Sequence, residues 1–180
     1  MAAALVVGDE APNFDLASTE DVVLMLRDEV PRMAVLLYFF DGDGDRVRAD
    51  LKNLARGQRK LKEAGAAILG ISPAKIDALK ALQRDLHLEF PLLRDDRDFS
   101  SQYGVEAASE DEPSPPALYL VNRDQKVLWR ACPVTAIESS LSEIDGALKA
   151  LPSSTMNYPK TVVNSVVNWW VNKVRSPRAA

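Results

Sequence analysis

The sequence contains very little of the two side chains that most often build catalytic and metal sites, cysteine and histidine. It has one cysteine, Cys132, and one histidine, His87, in 180 residues. A single cysteine excludes a disulfide within the chain. A lone histidine with no cysteine near it in sequence supports neither a zinc site nor a catalytic triad. We therefore expect no metal and no cofactor, and we expect His87 in a loop or on the surface.

Long apolar runs are also missing. No stretch reaches the ~18 uninterrupted apolar residues of a membrane-spanning helix. Residues 1–10 lack the basic segment and the long apolar run of a secretory leader. Glycine-rich phosphate loops of the dinucleotide-binding and Walker kinds are absent as well. We therefore expect a soluble, cytoplasmic protein.

Charge is distributed unevenly along the chain. The net charge is −4, but residues 146–180 hold five basic residues and no acidic one, which leaves −9 for residues 1–145. An acidic body argues against nucleic-acid binding. The basic tail either neutralises the body or contacts a partner, and composition alone does not choose between these interpretations.

The hydrophobic pattern predicts alternating strands and helices. Residues 33–40 form a continuous apolar run, which is typical of a strand buried on both faces. Residues 46–64 have helical periodicity and end at Gly65. A second apolar run, 66–71, leads to Ser72 and Pro73, which suit the start of a helix reaching about Leu86. Further predicted elements are strands 90–93, 117–121 and 126–131, helices 99–103 and 135–151, and an acidic, proline-rich surface loop at 106–116. This order predicts an α/β sandwich.

Five segments together resemble the peroxiredoxin (AhpC/TSA, redoxin) family. They are GDEAPNFDL at 8–16, MAVLLYFF at 33–40, ILGIS at 68–72, FPLLRDDRDFSSQYGV at 90–105 and ALYLVNRDQKVLWR at 117–130. They follow one another in the family's order and spacing. The resemblance implies a thioredoxin-like fold of the peroxiredoxin type over residues 1–151, with a central mixed sheet flanked by helices.

The same resemblance implies a thiol peroxidase whose catalytic residues are absent here. The family's loop after the first core strand reads P-x-x-x-T-x-x-C, and its cysteine attacks peroxide as a thiolate. In this chain Asp41 stands at the proline, Asp45 at the threonine and Arg48 at the cysteine. The family's arginine would fall near Pro115 or Pro116. We therefore expect a degenerate site with no catalytic residue.

Two smaller interpretations concern the remaining polar residues. Cys132 could be a reactive thiol next to Arg130, although a part-buried structural cysteine is the favoured interpretation. Asp41, Asp43 and Asp45 resemble the start of a calcium loop, but Arg46 and Lys52 occupy the positions that require glycine and glutamate. Metal binding is therefore not expected.

The former catalytic pocket is a separate question. If Tyr38, Phe40 and Arg48 still line a pocket, Arg48 could bind an anion there. The favoured alternative is that Arg48 pairs internally with Asp45 or Asp41.

The C-terminal segment has its own pattern. Residues 152–159 read as a linker, and residues 160–180 as an amphipathic helix with a basic tail. This helix packs on its own domain, binds a protein partner or a second copy, or makes peripheral contact with a membrane. The residues of its apolar face that would bind a partner are Val163, Val166, Val167, Trp169, Trp170 and Val174.

These features together predict a catalytically inactive, peroxiredoxin-like binding or structural subunit. Its C-terminal helix would attach it to a larger complex in the cytoplasm or at a membrane surface. The alternative is a thiol oxidoreductase that uses Cys132 with an external reductant.

Overall fold

A computed structural model describes residues 4–29, 33–96, 99–105 and 113–151. The strands in these ranges are β1 (Asp15–Ser18), β2 (Val23–Met25), β3 (Ala34–Phe39), β4 (Ala66–Ser72), β5 (Leu92–Arg94), β6 (Ala117–Val121) and β7 (Val127–Ala131). The helices are α1 (Leu26–Glu29), α2 (Asp45–Glu63), α3 (Ile76–Asp85), α4 (Phe99–Gln102) and α5 (Ile137–Lys149).

The strands form one mixed sheet with the order β2-β1-β5-β4-β3-β6-β7. The pairs β3–β4 and β4–β5 are parallel, and all other neighbours are antiparallel. All six residues of β3 are buried, because this strand lies inside the sheet with elements packed on both faces. The predicted α/β thioredoxin-like architecture is confirmed.

The two faces of the sheet carry different kinds of packing. On one face, Tyr38 reaches Asp50 of α2, and Trp129 of β7 reaches Glu143 of α5. The opposite face holds an aromatic cluster with ring-centroid distances from 5.0 to 6.4 Å. Its members are Phe14, Phe39, Phe99, Tyr103 and Tyr119.

One end of the sheet collects the segments that matter for function. Phe39, the last residue of β3, pairs with Ala117, the first residue of β6. Leu118 in turn pairs with Ala131, the last residue of β7. The loop that follows β3 and the segment that follows β7 therefore leave the sheet at the same end.

Two element boundaries differ from the sequence prediction. Helix α3 begins at Ile76 instead of Pro73, because Ser72 remains in β4 opposite Arg94 and cannot act as the N-cap. Strand β5 begins at Leu92 instead of residue 90, because the carbonyl of Phe90 accepts a hydrogen bond from the Gln83 side chain and not from a neighbouring strand.

The remaining boundaries agree with the prediction to within two residues. The linker 152–159, the C-terminal segment 160–180 and part of the loop 106–116 lie outside the described residues. Within the ranges given above, no helix combines the length and hydrophobicity needed to cross a bilayer.

Candidate functional site

The loop between β3 and α2 is where the sequence places the degenerate catalytic positions. It runs from Asp41 to Gly44 and turns at Gly42, whose φ of 74° is a conformation that glycine adopts without strain. Gly44 is the N-cap of α2 and provides no side-chain cap. The amide groups of the first turn of α2 therefore point toward this loop.

Arg48 lies in the first turn of α2, where the sequence resemblance places the family's cysteine, and two carboxylates hold its side chain. Its Nε lies 2.7 Å from Asp43 Oδ1, and its Nη2 donates to Asp43 Oδ2 at 2.8 Å. Asp85 Oδ2, at the end of α3, lies 3.8 Å from the same Nη2. The hydrogen bond to Asp43 raises the pKa of the Arg48 guanidinium. The side chain at this position is thus a permanently charged cation with no nucleophilic atom.

The predicted internal pairing of Arg48 is right in kind but wrong in its partner. We expected Asp45 or Asp41, and the structure shows Asp43 and Asp85. The Asp41 carboxylate instead accepts one long hydrogen bond, 3.3 Å, from the Ser114 amide. Asp45 contributes only a weaker electrostatic effect on Arg48.

The less favoured alternative, a pocket lined by Tyr38, Phe40 and Arg48, is opposed by the burial of two of these residues. Tyr38 and Phe40 are 0% and 3% exposed, and their rings stack with centroids 5.5 Å apart. The Tyr38 hydroxyl donates to Asp50 Oδ2 at 3.0 Å, and burial raises its pKa far above the usual value. Because both rings belong to the core, they present no surface to a ligand beside Arg48.

A chain of polar contacts that sequence reasoning missed ties α2 to the segment after β7. Arg46 Nη2 donates to the Val134 carbonyl at 2.6 Å, and Arg46 Nε lies 3.8 Å from Asp50 Oδ2. Burial raises the pKa of Asp50. The Arg46–Asp50 spacing is readable as an i,i+4 pair. The contact with Val134 depends on the fold, so no local pattern could have revealed it.

Cys132 lies at the same end of the sheet as this loop. The side chain is half-buried and follows directly after β7. Its neighbours include Tyr119, whose hydroxyl donates to the Tyr103 carbonyl at 2.6 Å. Burial raises the pKa of Tyr119 to about 12, with a smaller contribution from Cys132, whereas Arg130 lowers it. The thiol is therefore neither fully buried nor far from a cation.

Pro115 and Pro116, near which the resemblance places the family's arginine, carry no side-chain donor. Pro116 precedes β6 directly, and its carbonyl accepts a hydrogen bond from the Val134 amide at 2.7 Å. Proline carries no group that could stabilise a thiolate. Pro116 thus helps to hold the segment after β7 through its main-chain carbonyl.

The other predicted site residues are accounted for as follows. His87 is exposed just after α3, in agreement with the prediction. Across the described ranges, no group of three or more acidic, histidine or cysteine side chains is arranged to hold a metal ion. The predicted partner-binding residues Val163, Val166, Val167, Trp169, Trp170 and Val174 lie outside the described residues.

Known proteins share this fold and part of this sequence. The protein bcp of Coxiella burnetii, named provisionally as a peroxiredoxin, is 35% identical over 104 residues. That match covers 55% of this chain and 66% of the relative, just under two thirds of its length.

Two solved structures resemble the fold closely. Peroxidoxin BcpB of Mycobacterium tuberculosis has a TM-score of 0.75 at 18% identity, covering 82% of this chain and 98% of its own. A cysteine-to-serine mutant of PrxQ from Xylella fastidiosa has a TM-score of 0.73 at 15% identity, covering 83% and 98%. At identities this low, the two structures support the assignment of the fold and nothing more specific. Residues 7–130 match the AhpC/TSA family model, and the chain therefore belongs to the AhpC/TSA family.

Proposed function

We propose that this protein keeps the peroxiredoxin scaffold without peroxidase chemistry and acts as a binding or structural subunit. The observation that carries the proposal is at the start of α2. Where the family presents its cysteine, this chain presents Arg48, fixed by Asp43 and Asp85. Peroxide reduction by this family depends on a thiolate at that point, and a guanidinium cannot replace it.

The surroundings of Arg48 also oppose thiol chemistry. Asp41, Asp43 and Asp45 lie in or next to the loop, and their negative charges would disfavour a thiolate there. Tyr38 and Phe40 are committed to the core. In this proposal, the end of the domain that holds Arg48 is an ion-paired surface and not a catalytic pocket.

Attachment to a partner is assigned to the C-terminal segment. Its sequence pattern places two tryptophans and several valines on one helical face, and tryptophan is a residue that anchors interfaces. The basic residues of this segment contrast with the acidic body. These two features favour a protein partner or a second copy, or a complex at a membrane surface, over a free enzyme.

The absence of peroxidase chemistry is tested by peroxide consumption. The purified protein and Cys132→Ser are assayed with thioredoxin or dithiothreitol as reductant, beside a family member that retains the active-site cysteine. We expect turnover from the cysteine-containing relative and none above buffer from either form of this protein. Turnover that Cys132→Ser abolishes would contradict the proposal.

The role of the C-terminal segment is tested by co-purification. Full-length protein, a form lacking residues 159–180, and the double variant Trp169→Ala, Trp170→Ala are each isolated from the same cells. We expect the full-length chain alone to retain its companion proteins or its self-association. If all three forms retain the same companions, attachment does not depend on this segment.

A second candidate function is a thiol oxidoreductase based on Cys132. It is favoured by partial exposure of this thiol and by Arg130 nearby. The Cys132 thiolate would attack the O–O bond of a peroxide, forming a sulfenic acid and releasing water or an alcohol. An external dithiol would then supply two electrons and regenerate the thiol. The rate of alkylation by iodoacetamide, measured against pH in the native and denatured chain, shows whether the fold activates Cys132.

A further inference from the structure

The chain contains three Asp-Gly sequences, and the structure places them in very different surroundings. They are Asp41–Gly42, Asp43–Gly44 and Asp145–Gly146. In an Asp-Gly sequence the glycine amide nitrogen can attack the aspartate side-chain carboxyl, because glycine has no side chain that shields its own amide. The reaction yields a five-membered succinimide, which water opens to aspartate or to isoaspartate.

In Asp145–Gly146, both the glycine amide and the aspartate carboxylate are protected from this reaction. The pair lies inside α5, where the Gly146 amide belongs to the helical hydrogen-bond ladder. The Asp145 carboxylate accepts a hydrogen bond from Lys149 Nζ at 2.7 Å and lies 3.0 Å from Lys60 Nζ. Cyclisation here would require opening the helix and breaking two ion pairs.

In Asp43–Gly44, only the aspartate carboxylate is protected, and the glycine amide is not. Gly44 is exposed at the N-cap of α2, so its amide is accessible. The Asp43 carboxylate, however, has both oxygens bound to the Arg48 guanidinium at 2.7 and 2.8 Å. The carboxyl carbon can reach the Gly44 amide only after this bidentate pair has opened.

Asp41–Gly42 has neither form of protection. One long hydrogen bond, 3.3 Å from the Ser114 amide, restrains the Asp41 carboxylate. Gly42 is exposed, and its amide donates no hydrogen bond to another described residue. We propose that Asp41 is a site of spontaneous isoaspartate formation through a succinimide with the Gly42 amide, in preference to Asp43 and Asp145.

The chemistry needs no external oxidant or cofactor. The Gly42 nitrogen forms a bond to Cγ of Asp41, and one water molecule leaves. Addition of water at the former main-chain carbonyl then leaves the chain running through the side chain, with one extra methylene in the backbone. Because this methylene enters directly between β3 and α2, it lengthens the loop that positions Arg48.

The proposal is tested by ageing the full-length protein at neutral pH and 37 °C. One tryptic peptide, residues 33–46, holds both Asp41 and Asp43. Electron-transfer fragmentation, which cleaves within isoaspartate, distinguishes the two. Oxygen-18 water in the buffer labels each opened succinimide. We expect several-fold more label and isoaspartate at Asp41 than at Asp43 or Asp145. Equal amounts at the three positions, or most isoaspartate at Asp43, would overturn the proposal.

Two controls separate the effect of the fold from that of the sequence. In denaturant the three Asp-Gly pairs should react at similar rates, because the protecting contacts are lost. Arg48→Gln, checked for folding by circular dichroism, should raise isoaspartate at Asp43 and leave Asp145 unchanged. An unchanged preference for Asp41 in denaturant would assign it to local sequence and contradict the structural argument.

Discussion

Asp145 is a nearly buried carboxylate held between two lysines. Its side chain is 12% exposed, and it contacts Lys149 Nζ in α5 and Lys60 Nζ in α2. These two hydrogen bonds hold the pKa of Asp145 below its usual value. A lowered pKa in the folded state means that ionisation of Asp145 stabilises the fold. The group therefore links protonation to the contact between α2 and α5.

We expect Asp145→Asn to lower the free energy of unfolding at neutral pH, because asparagine keeps the shape but loses the charge. The stabilisation by Asp145 is fully present above the unfolded-state pKa of about 3.9 and is lost as the pH falls through the lower folded-state pKa. Urea denaturation of both proteins at several pH values measures the difference. It should shrink as the pH is lowered below about 4.

A matched control is Asp124→Asn, at an exposed aspartate in the turn between β6 and β7. Its side chain makes no ion pair with another described residue, so its substitution should have little effect on stability at any pH. If Asp145→Asn lowered the free energy of unfolding by the same amount down to acid pH, packing and not charge would be responsible.

Side-chain pairs differ in how far the sequence can predict them. Lys149 and Asp145 are four residues apart on one helix, and this spacing indicates a pair. Lys60 reaches the same carboxylate from another helix, so the contact exists only once α2 and α5 have packed. The same is true of Arg48 and Asp85, and of Cys132 beside Tyr119. The loop after β3 could be located from the sequence, but its ion pairs could not.

Helix α3 is followed by a histidine in the left-handed backbone conformation, which is unusual for a residue other than glycine. The C-cap is Leu86, and His87 follows with φ of 53°. The His87 amide donates to the Arg84 carbonyl, which closes the helix end. A left-handed residue at this position is common in helices, but it is usually glycine, because a Cβ is strained there. The sequence pattern showed where the helix stops, but glycine, the usual signal, is missing.

We expect His87→Gly to stabilise the protein by up to about 1 kcal/mol, because relief of the left-handed strain exceeds the extra entropy of an unfolded glycine. In a chain of this size that corresponds to a rise in Tm of roughly 2–4 °C. His87→Ala is the matched variant, since it removes the imidazole but keeps a Cβ. It should give no such gain. Thermal unfolding of the three proteins makes the comparison, and equal stabilisation by both variants would assign the effect to the imidazole.

The limits of a strand or helix were predicted correctly where the local sequence signals agreed with the tertiary packing, and incorrectly where they conflicted. For β3 they agreed, because an unbroken apolar run is also what a strand inside a two-sided sheet requires. For α3 they conflicted. Ser72 and Pro73 look like a helix start, but pairing with β5 keeps Ser72 in β4. A sheet partner that is distant in sequence therefore overrides a local capping signal.

The order of elements along the chain was predictable, because five short motifs occur in register over most of the domain. No single motif, however, predicts which strands are neighbours in the sheet. The sheet brings the loop after β3 and the segment after β7 to one end. That juxtaposition puts Cys132 and Arg48 in the same region of the molecule, which their separation in sequence concealed.

The described residues between 4 and 151 contain a seven-stranded sheet and the helices that pack on it. The core includes fully buried residues from β3, β6, α2 and α5, all of them within this range. We therefore expect a form ending at residue 151 to fold with the circular dichroism spectrum of the body and nearly the Tm of the full chain. This outcome would favour attachment to a partner over packing of the segment on its own domain.

Leu148→Ala in the full chain is the positive control for a destabilised body. Leu148 is 1% exposed in α5, and a substitution of this kind costs about 2–5 kcal/mol. The decrease in Tm of this variant shows how far the loss of one core contact lowers Tm. If truncation at residue 151 lowered Tm by a comparable amount, the C-terminal segment would be part of the domain's own core. The proposed subunit function would then lose its means of attachment, since an apolar face packed against the body is not free to bind another protein.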